Sequence, residues 1–585
     1  MTNSGASELT DTLRQSKSAF ISVAWMSAII NVLFLGGPLY MLLIYDSVMP
    51  SGSTPTLFGL LALVVVVYLF QGIFDLLRSR ILGEVAAGLD AKMTGRVHQV
   101  ISSIAMHTKS NREDGLTPMR DLDSIRGFLS SPGPNALMDL PWLILFLGLL
   151  TLLHFWLGLT TLLGALVLVA LTLWQDRRTG EPSKTVSEAR AYRSKVAQDT
   201  SKHIDVIQAL GMGARMREQW HSANTQLSTA QDQVTQTSSL LSGVSRIFRL
   251  FLQSLVLTVG ALLYLAGEAS GGIVFAASIL AARALAPIDQ AMAHWPKFTE
   301  ARQGWERLEE LFEAIPPDEG RSTQLPEPGE SLKVSDLAII APGGSEPIID
   351  AVDFRLSSGD ALGVIGPSAA GKTTLCKALV GLFEPARGSV RLDGASLSQW
   401  DPDALGQHLG FLPQQVELFD GTIAQNIARF EPNPPSEEVI AAAKAAGVHS
   451  MILQLPQGYD TRIGAQGIRL SAGQSQRIGL ARAMYRGPFL LVLDEPNSNL
   501  DAEGEAALDS AIAASRKRGA IVVLVAHRPS ALRQVNKVLV LQNGRMSGFG
   551  ERDEILEKLA KASSAATISS VPQLDEVSET MERQQ

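Results

Sequence analysis

The stretch ALGVIGPSAAGKTTLCKAL, residues 361–379, places a short apolar run, a glycine-rich turn and a helix-forming run in direct succession. In this context Gly366 and Gly371 allow backbone N–H groups to wrap around a polyphosphate. Lys372 would neutralise the β- and γ-phosphate oxygens, and the Thr373 hydroxyl would bind Mg²⁺. The sequence therefore predicts a strand, a phosphate-binding loop and a helix. The predicted ATP-binding residues of the loop are Gly366, Pro367, Ser368, Ala369, Ala370, Gly371, Lys372, Thr373 and Thr374.

Two adjacent carboxylates end a second apolar run, FLLVLDEP at residues 489–496. Asp494 can hold the Mg²⁺ shell, and Glu495 can orient or deprotonate the attacking water. Adjacent acids at the end of a buried strand are costly unless a cation compensates them. This cost favours a catalytic pair over ordinary surface charge.

Two further polar side chains follow runs of the same type. VLVAHRP at 523–529 places His527 within plausible reach of a γ-phosphate. FLPQQVELF at 411–419 places Gln414 in a loop, where its amide can touch both metal and water. The residues assigned to catalysis are Glu495, His527 and Gln414, and those assigned to Mg²⁺ are Thr373, Gln414 and Asp494.

A second anion-recognition surface is predicted at 470–474, LSAGQ. A small hydroxyl, two small residues and an amide precede a helical stretch, whose first-turn N–H groups have no partner within the helix. We therefore assign Ser471, Gly473 and Gln474 to nucleotide binding. Because the chain already has a phosphate loop, these residues by themselves leave open whose phosphate the second surface meets.

Composition places part of the chain in a membrane and excludes some kinds of partner. Of its 585 residues 46% are hydrophobic, and the mean hydropathy of +0.14 is high for a wholly soluble enzyme. The net charge of -8, without a basic stripe, excludes a nucleic-acid partner. The single cysteine, Cys376, excludes an intramolecular disulfide and a zinc cluster, and its apolar surroundings predict a packed thiol.

Six apolar segments in the first half are each long enough to cross a hydrocarbon core of about 30 Å as helices. They lie near residues 21–45, 56–77, 136–155, 159–176, 248–267 and 271–290. The third and fourth nearly touch, which predicts a tight hairpin. Lys and Arg are concentrated in the long connections 78–135 and 177–246, so both connections and both termini are predicted to be cytoplasmic.

The long connections are helix-forming, so we expect the spanning helices to extend beyond the bilayer and turn back. PPDEGRSTQLPEPGES, residues 316–331, predicts a linker, and the short β-branched runs after it are typical of a parallel sheet. The predicted fold is a membrane α-helical bundle of six spans plus an α/β P-loop nucleotide-binding domain. The predicted segments are a cytoplasmic segment 1–20, a transmembrane domain 21–315, the linker 316–331, a nucleotide-binding domain 332–560 and a mobile tail 561–585.

The order of these motifs resembles that of the ATP-binding cassette family, with phosphate loop, Q-loop, signature, carboxylate pair, D-loop and H-loop. The D-loop is SNLD, Ser498 to Asp501. In that family the signature of one subunit caps the γ-phosphate held by the loop of another. The resemblance therefore implies that Ser471 and Gly473 act on the ATP of a second copy, and that the chain works as a homodimer.

Longer stretches are similar to the type I secretion exporters of Gram-negative bacteria, and especially to those for proteases and RTX proteins. These stretches are PLYMLLIYDSVMPS (38–51), RDLDSIRGFLSSPG (120–133), MDLPWLILF (138–146), ASILAARALAPIDQA (277–291) and LDEPNSNLDAEGEAAL (493–508). The similarity runs from about residue 20 to 560. It implies an inner-membrane ATP hydrolase that exports an unfolded protein with an uncleaved C-terminal signal. The implied partners are a periplasmic adaptor and an outer-membrane channel.

No leader-cleaving activity is expected, because about 20 residues precede the first span and the only cysteine lies in the cassette. Three positions depart from the family pattern. Ala472 replaces a glycine of the signature, Ala341 or Pro342 stands where an aromatic usually stacks on adenine, and Ala465 stands where a glutamate usually aids coupling. Since base stacking contributes about 1–3 kcal/mol in nucleic-acid binders, we expect reduced nucleotide affinity or base selectivity.

Several alternatives stay open at this point. The turns around Leu122 to Leu129 and His203 to Met212 are candidates for coupling to the cassette. Arg283, inside the sixth span, can line a polypeptide passage or form a structural ion pair. A lipid or drug exporter would need a wide hydrophobic cavity and no adaptor. A nucleotide-gated regulator with weak hydrolysis is disfavoured by the intact Glu495 and His527.

Overall fold

A computed structural model describes residues 5–107, 117–316, 325–340, 344, 346–464, 467–526 and 532–569. The chain divides into two compact units, Met1–Pro317 and Asp318–Gln585. The boundary between them lies inside the segment rich in proline, glycine and charge.

The described residues of the first unit form helices joined by short turns. Its helices are α1 (Gly5–Gln15), α2 (Lys17–Leu33), α3 (Gly36–Leu43), α4 (Met49–Ser51), α5 (Thr54–His107), α6 (Thr117–Leu129), α7 (Gly133–Asp139), α8 (Leu143–Leu153), α9 (Phe155–Lys202), α10 (Ile204–Ala209), α11 (Gly213–Leu265) and α12 (Gly271–Ala314). A π-helical segment at Ile44–Val48 separates α3 from α4, and a 3₁₀ turn at Leu140–Trp142 separates α7 from α8.

Six stretches of these helices are long and apolar enough to cross a membrane, which confirms the predicted number of spans. Helices α8 and α9 flank a single extended residue, His154. Its ring accepts a hydrogen bond from the backbone N–H of Trp156 (3.4 Å) and so caps α9. The third and fourth apolar segments therefore form the predicted tight hairpin.

Four helices are much longer than a bilayer requires. Helices α5, α9, α11 and α12 contain 54, 48, 53 and 44 residues. At 1.5 Å per residue each measures about 65 to 80 Å, against about 30 Å of hydrocarbon. The expectation that the spanning helices extend beyond the bilayer and turn back is confirmed, since α6 follows α5 and α10 connects α9 to α11.

The two turns between these long helices differ in how they pack. Helix α6 buries Leu122, Ile125 and Leu129 in a cluster with α5 and α12. Helix α10 buries Ile207 and leaves the apolar side chains of Ile204, Val206 and Leu210 exposed. Of the two coupling candidates, the turn with α10 thus exposes three apolar side chains, whereas α6 buries most of its own and exposes Met119.

A buried ion pair joins the first three spans. Arg78 of α5 donates through Nη1 to both carboxylate oxygens of Asp139 in α7 (3.1 and 2.9 Å). Asn31 of α2 donates to the same carboxylate (2.9 Å), and Ser27 accepts from Arg78 (3.1 Å). On its exposed side Arg78 also contacts Asp75 (2.9 Å). Ionisable groups near the hydrocarbon region are costly unless paired, so this network fixes the positions of three helices.

The charged residues of the sixth span contact other helices. Asp289 forms an ion pair with Arg249 of α11 (2.7 Å). The Arg283 guanidinium lies over the ring of Phe34, 4.1 Å from the ring centroid. Within the described ranges Arg283 forms no ion pair. The structure therefore does not show the structural ion pair that was one of the two alternatives for this residue.

Arg96 of α5 holds the first helix in place. Its Nε donates to the Glu8 carboxylate of α1 (2.9 Å), and the guanidinium also donates to the carbonyl of Ile315, the residue that follows α12. The same guanidinium lies 5.0 Å from the ring centroid of Phe312. One side chain, 8% exposed, therefore fixes both α1 and the end of α12.

The second unit is an α/β domain over its described residues. Its strands are β1 (Ser331–Ile340), β2 (Pro347–Ser357), β3 (Ala361–Ile365), β4 (Arg387–Leu392), β5 (Ala395–Ser396), β6 (Leu409–Leu412), β7 (Gly421–Thr422), β8 (Arg462–Ile463), β9 (Leu490–Asp494), β10 (Ile521–Val525), β11 (Lys537–Gln542) and β12 (Arg545–Glu551). Its helices are α13 (Lys372–Leu379), α14 (Pro402–His408), α15 (Ile423–Ile427), α16 (Ser436–Ala445), α17 (His449–Leu453), α18 (Ala472–Met484), α19 (Ala502–Lys517) and α20 (Arg552–Ser569).

The main sheet has the strand order β12-β11-β3-β10-β9-β6. All neighbours in it are parallel except the edge pair β11 and β12. The predicted parallel sheet is therefore confirmed, and β3, β9 and β10 coincide with the apolar runs that predicted it. The sequence did not predict the second, antiparallel sheet of order β2-β1-β4-β5.

The end of the second unit differs from the expected mobile tail. Helix α20 continues to Ser569 and so includes residues 561–569. Ion pairs four residues apart, Lys558 with Glu554 and Lys561 with Glu557 (both 2.7 Å), stabilise this helix, and alanines favour its continuation. Residues 570–585 lie outside the described part of the chain.

Asp139→Ala is expected to destabilise the membrane unit by about 3 kcal/mol or more, because it leaves Arg78 buried without its carboxylate. The matched control is Asp75→Ala, since Asp75 contacts the same arginine but its side chain is 57% exposed. Exposed ion pairs contribute about 0–1 kcal/mol. Thermal unfolding in lipid discs measures the difference. Equal melting temperatures for the two variants would show that the buried pair does not hold the three spans together.

Candidate active site

The carboxyl ends of neighbouring parallel strands bring several of the predicted site residues to one edge of the main sheet. Val525, the last residue of β10, pairs with Asp494, the last residue of β9, and strands β3 and β6 are in register on either side. The phosphate loop begins directly after β3, at Gly366. Gln414 follows β6 by two residues and is exposed. The loop, the carboxylate pair and Gln414 thus share the edge at which parallel sheets bind ligands.

Backbone geometry explains the two glycines of the loop. A Cβ atom at Gly366 would lie 2.1 Å from the carbonyl oxygen of Leu541. Gly371 has φ +94° and precedes α13, a conformation that disfavours any side chain. The remaining loop residues vary in exposure, with Pro367, Ser368 and Ala369 exposed, Ala370 buried and Thr374 half-buried.

Lys372 lies across the phosphate loop. Its ammonium donates to the carbonyl oxygens of Gly366 and Pro367 (2.9 Å each), and the residue is 6% exposed. These bonds hold a positive charge against the backbone turn whose N–H groups are available to an anion. The arrangement is the one that phosphate binding requires.

The carboxylate of Asp494 is buried at the end of β9. Neither carboxylate oxygen has a hydrogen-bond partner within the described ranges, and the residue is 1% exposed. Burial raises the pKa of Asp494, while the nearby Thr373 hydroxyl favours the charged form without completing a hydrogen bond. A buried carboxylate of this kind, next to a threonine hydroxyl, suits a hard divalent cation with oxygen ligands.

Cys376 packs behind the phosphate loop on α13 and is fully buried. Burial, with a smaller effect from the charge of Asp494, raises the pKa of its thiol well above the ordinary value. A protonated thiol in an apolar core is the packed residue that the sequence predicted.

Glu495 adopts a strained backbone conformation, with φ +50°. Its carbonyl and that of Pro496 accept hydrogen bonds from the side-chain amide of Gln476 (3.2 and 2.6 Å). Gln476 belongs to α18 and is 1% exposed. The bonds fix the turn after β9, in which the Glu495 side chain is half-buried.

The signature residues form the start of α18. Ser471 accepts from the Gln474 N–H (3.2 Å), and the Gln474 side chain accepts from the Ser471 N–H (3.0 Å), which is a capping box. A Cβ atom at Gly473 would lie 2.8 Å from the carbonyl oxygen of Asn499 in the D-loop. Ser471 stays exposed, so its hydroxyl and the helix start face solvent.

Two contacts of α18 were not predicted from the sequence. Gln476 ties the helix to the turn after Asp494, and Arg477 pairs with Asp501 of the D-loop. The signature, the D-loop and the carboxylate pair are therefore one connected structure. The one sequence signal for these contacts was that Gln476 and Arg477 directly follow the signature residues. A glutamine or arginine in a helix does not by itself indicate its partner.

Several predicted residues lie outside the described part of the chain. They are His527, Ala341, Pro342 and Ala465. His527 is the second residue after β10 in the sequence, and its catalytic role stays a prediction.

Each half of the chain matches a model of a known protein family. Residues 20–286 match the ABC transporter transmembrane region, and residues 349–498 match the ABC transporter model. The solved structure of a bacterial Atm1-family ABC exporter with ATP bound has the same fold, with a TM-score of 0.78 at 21% identity. That similarity covers 96% of this chain and 99% of the other.

Two curated relatives belong to one kind of exporter. The type I secretion system ATP-binding protein PrsD of Rhizobium meliloti (strain 1021) is 48% identical over 94% of each chain. The alpha-hemolysin translocation ATP-binding protein HlyB of Escherichia coli O157:H7 is 27% identical over 92% of this chain and 76% of its own. With both domains matched and a full-length relative at this identity, the chain belongs to the ABC transporter family, in the group of type I secretion exporters.

Proposed function

We propose that the protein is the ATP-driven exporter of a type I secretion system in the bacterial inner membrane. It moves an unfolded protein with an uncleaved C-terminal signal out of the cytoplasm, together with a periplasmic adaptor and an outer-membrane channel. The observation that carries the proposal is the 48% identity to PrsD over 94% of both chains. The multi-pass helical unit and the ATP-binding domain supply the two parts that such an exporter needs.

The residues at the sheet edge divide the work of ATP hydrolysis. Backbone N–H groups of the phosphate loop and the Lys372 ammonium bind and orient the β- and γ-phosphates. Asp494 and Thr373, with Gln414, would hold Mg²⁺, which neutralises charge on the phosphate oxygens. Glu495 accepts a proton from the attacking water, and His527 is proposed to contact the γ-phosphate.

A second copy completes the site. Ser471 is an exposed helix cap with a free N-terminal surface, and its described hydrogen bonds stay within α18. Such a surface binds anions through its first-turn N–H groups. We therefore propose a homodimer in which Ser471, Gly473 and Gln474 of each copy cap the ATP held by the other.

The exposed apolar helix α10 is the better candidate for transmitting cassette movement to the spans. Its Leu210 is 70% exposed and Val206 51% exposed, whereas the corresponding side chains of α6 are buried in their own unit. Exposed apolar side chains at the tip of a long helical pair mark an interaction surface.

Glu495→Gln is expected to lower the rate of ATP hydrolysis by about a hundredfold or more, because a general base contributes on this order. ATP binding should persist, since the loop and Lys372 are unchanged. The measurement is steady-state phosphate release in lipid discs, with binding followed by a fluorescent ATP analogue. Glu503→Gln, an exposed acid in the first turn of α19, is the control. Parental turnover in Glu495→Gln would refute the assigned role.

Asp494→Asn is expected to raise the stability of the nucleotide-free protein by about 2 kcal/mol while abolishing hydrolysis, because it removes a buried charge without hydrogen bonds. Since burial raises the pKa of Asp494, the charge penalty is present above that pKa and disappears as the pH falls below it. The gain should therefore be largest at neutral pH and shrink towards acid pH. Thermal unfolding over a pH series measures it, with the less buried Glu495→Gln as control. A lower melting temperature in Asp494→Asn at neutral pH would contradict the assignment.

The transport proposal is tested by titrating C-terminal segments of candidate secreted proteins into the purified exporter in lipid discs. A saturable change in ATP hydrolysis with one segment is expected, and the scrambled segment should have no effect. Glu495→Gln supplies the background rate. A response to lipid-like amphiphiles but to no segment would favour a lipid or drug exporter instead. No rate above the Glu495→Gln background would favour a nucleotide-gated regulator.

A further inference from the structure

A cavity of about 400 Å³, lined by both polar and apolar side chains, lies between the cytoplasmic parts of α11 and α12. Its walls include Ser239, Ser242, Gly243, Arg246 and Arg249 from α11 and Asp289 from α12. We propose that this cavity binds the phosphate headgroup of an anionic phospholipid from the cytoplasmic leaflet. The site is separate from the nucleotide site and does not depend on the nature of the cargo.

The charges around the cavity leave one cation available. Arg249 forms an ion pair with Asp289 (2.7 Å), and both residues line the cavity. Arg246 is exposed and forms no ion pair or hydrogen bond within the described ranges. Two arginines against one aspartate leave a net positive charge, with Arg246 free to contact an anion.

Three serines line the cavity, and two of their hydroxyl groups are available as donors, since Ser245 donates to Met292 Sδ (3.4 Å). Deeper in α11, Ser254 and Thr258 donate to the carbonyl four residues earlier (3.1 and 2.8 Å). Ser239 and Ser242 form no such bond among the described residues. Gly243 lies between them and the arginines, and a Cβ atom there would meet nothing within 4 Å. Free donors and open space at one place suit the oxygens of a phosphate group.

The depth of the cavity matches a lipid headgroup. Arg246 and Arg249 lie at the cytoplasmic start of the apolar segment 248–267, and Asp289 lies at the cytoplasmic end of 271–290. These positions place the cavity at the boundary between hydrocarbon and water on the cytoplasmic side. Basic pockets between spanning helices at this depth bind anionic headgroups.

An apolar stripe continues from the cavity towards the other side of the membrane. Leu250, Leu257 and Tyr264 follow Arg246 at spacings of 4, 11 and 18 residues, so all lie on one face of α11. They are 57%, 41% and 56% exposed. An acyl chain can cover this stripe, whereas an extended polypeptide would leave its backbone polar groups unpaired against it. The face therefore favours a lipid over a peptide.

The test measures lipid retention by the full-length protein. The exporter is equilibrated with vesicles containing equal parts of phosphatidylglycerol and phosphatidylcholine, extracted into detergent, and its bound lipids are counted by native mass spectrometry. We expect preferential retention of phosphatidylglycerol. Arg246→Gln should reduce that preference about fivefold, the effect of one cation near an anionic headgroup. Arg246→Lys should retain most of it.

The matched control is Arg217→Gln, which removes the same charge from an exposed position of α11 about 44 Å nearer the cytoplasmic tip. It should leave lipid retention unchanged. A fluorescent ATP analogue confirms that the nucleotide-binding unit of each variant is folded, and thermal unfolding in lipid discs checks the membrane unit that carries the change. Equal retention of both lipids, or the same loss in Arg246→Gln and Arg217→Gln, would overturn the proposal. Displacement of phosphatidylglycerol by inorganic phosphate would show a free-anion site, and displacement by a C-terminal cargo segment would show a peptide site; either result would also overturn it.

Discussion

The carboxylate of Asp494 sits at the end of a buried strand with neither oxygen hydrogen bonded within the described residues, and much of the second unit is arranged around it. A parallel sheet brings the phosphate loop, this carboxylate and the turn after it to one edge. The cost of an unpaired buried charge falls when a cation binds. In the proposed site, where Asp494 would hold the Mg²⁺ of bound ATP, nucleotide binding would therefore stabilise this edge of the sheet. Gln476 would extend that stabilisation, because it joins the turn beside Asp494 to the helix that carries the signature.

The parts of the fold that repeat a local pattern were predictable from the sequence. The six spans follow from their apolar length, and β3, β9 and β10 follow from β-branched runs next to the loop and the carboxylates. Gly366 and Gly371 lie where the backbone geometry leaves no room for, or disfavours, a side chain, which the residue type indicates, and their role in binding ATP stays a prediction. The prediction of the fold of both halves thus used sequence patterns that lie within about 20 neighbouring residues.

The contacts that were missed join residues far apart in the chain. Arg78 and Asp139 are 61 positions apart, and neither sequence neighbourhood indicates the other. The antiparallel sheet pairs β1 with both β2 and β4, with irregular register that blurs the alternation of apolar and polar residues. The extension of α20 through residues 561–569 came from helix propensity and ion pairs, which outweighed the shortage of large apolar side chains. Tertiary pairing and local propensity, respectively, decided these cases.

Arg96 gives the two ends of the membrane unit a common anchor, because it holds Glu8 of α1 and the carbonyl of Ile315 after α12. A displacement of the amino terminus is therefore transmitted to the residues that lead into the linker. A protein or affinity tag fused ahead of α1 would pull on the Arg96 contacts and so disturb the segment between the spans and the cassette. A tag joined beyond α20 is attached to the second unit and does not pull on the Arg96 contacts. The carboxyl end is therefore the better place for a label.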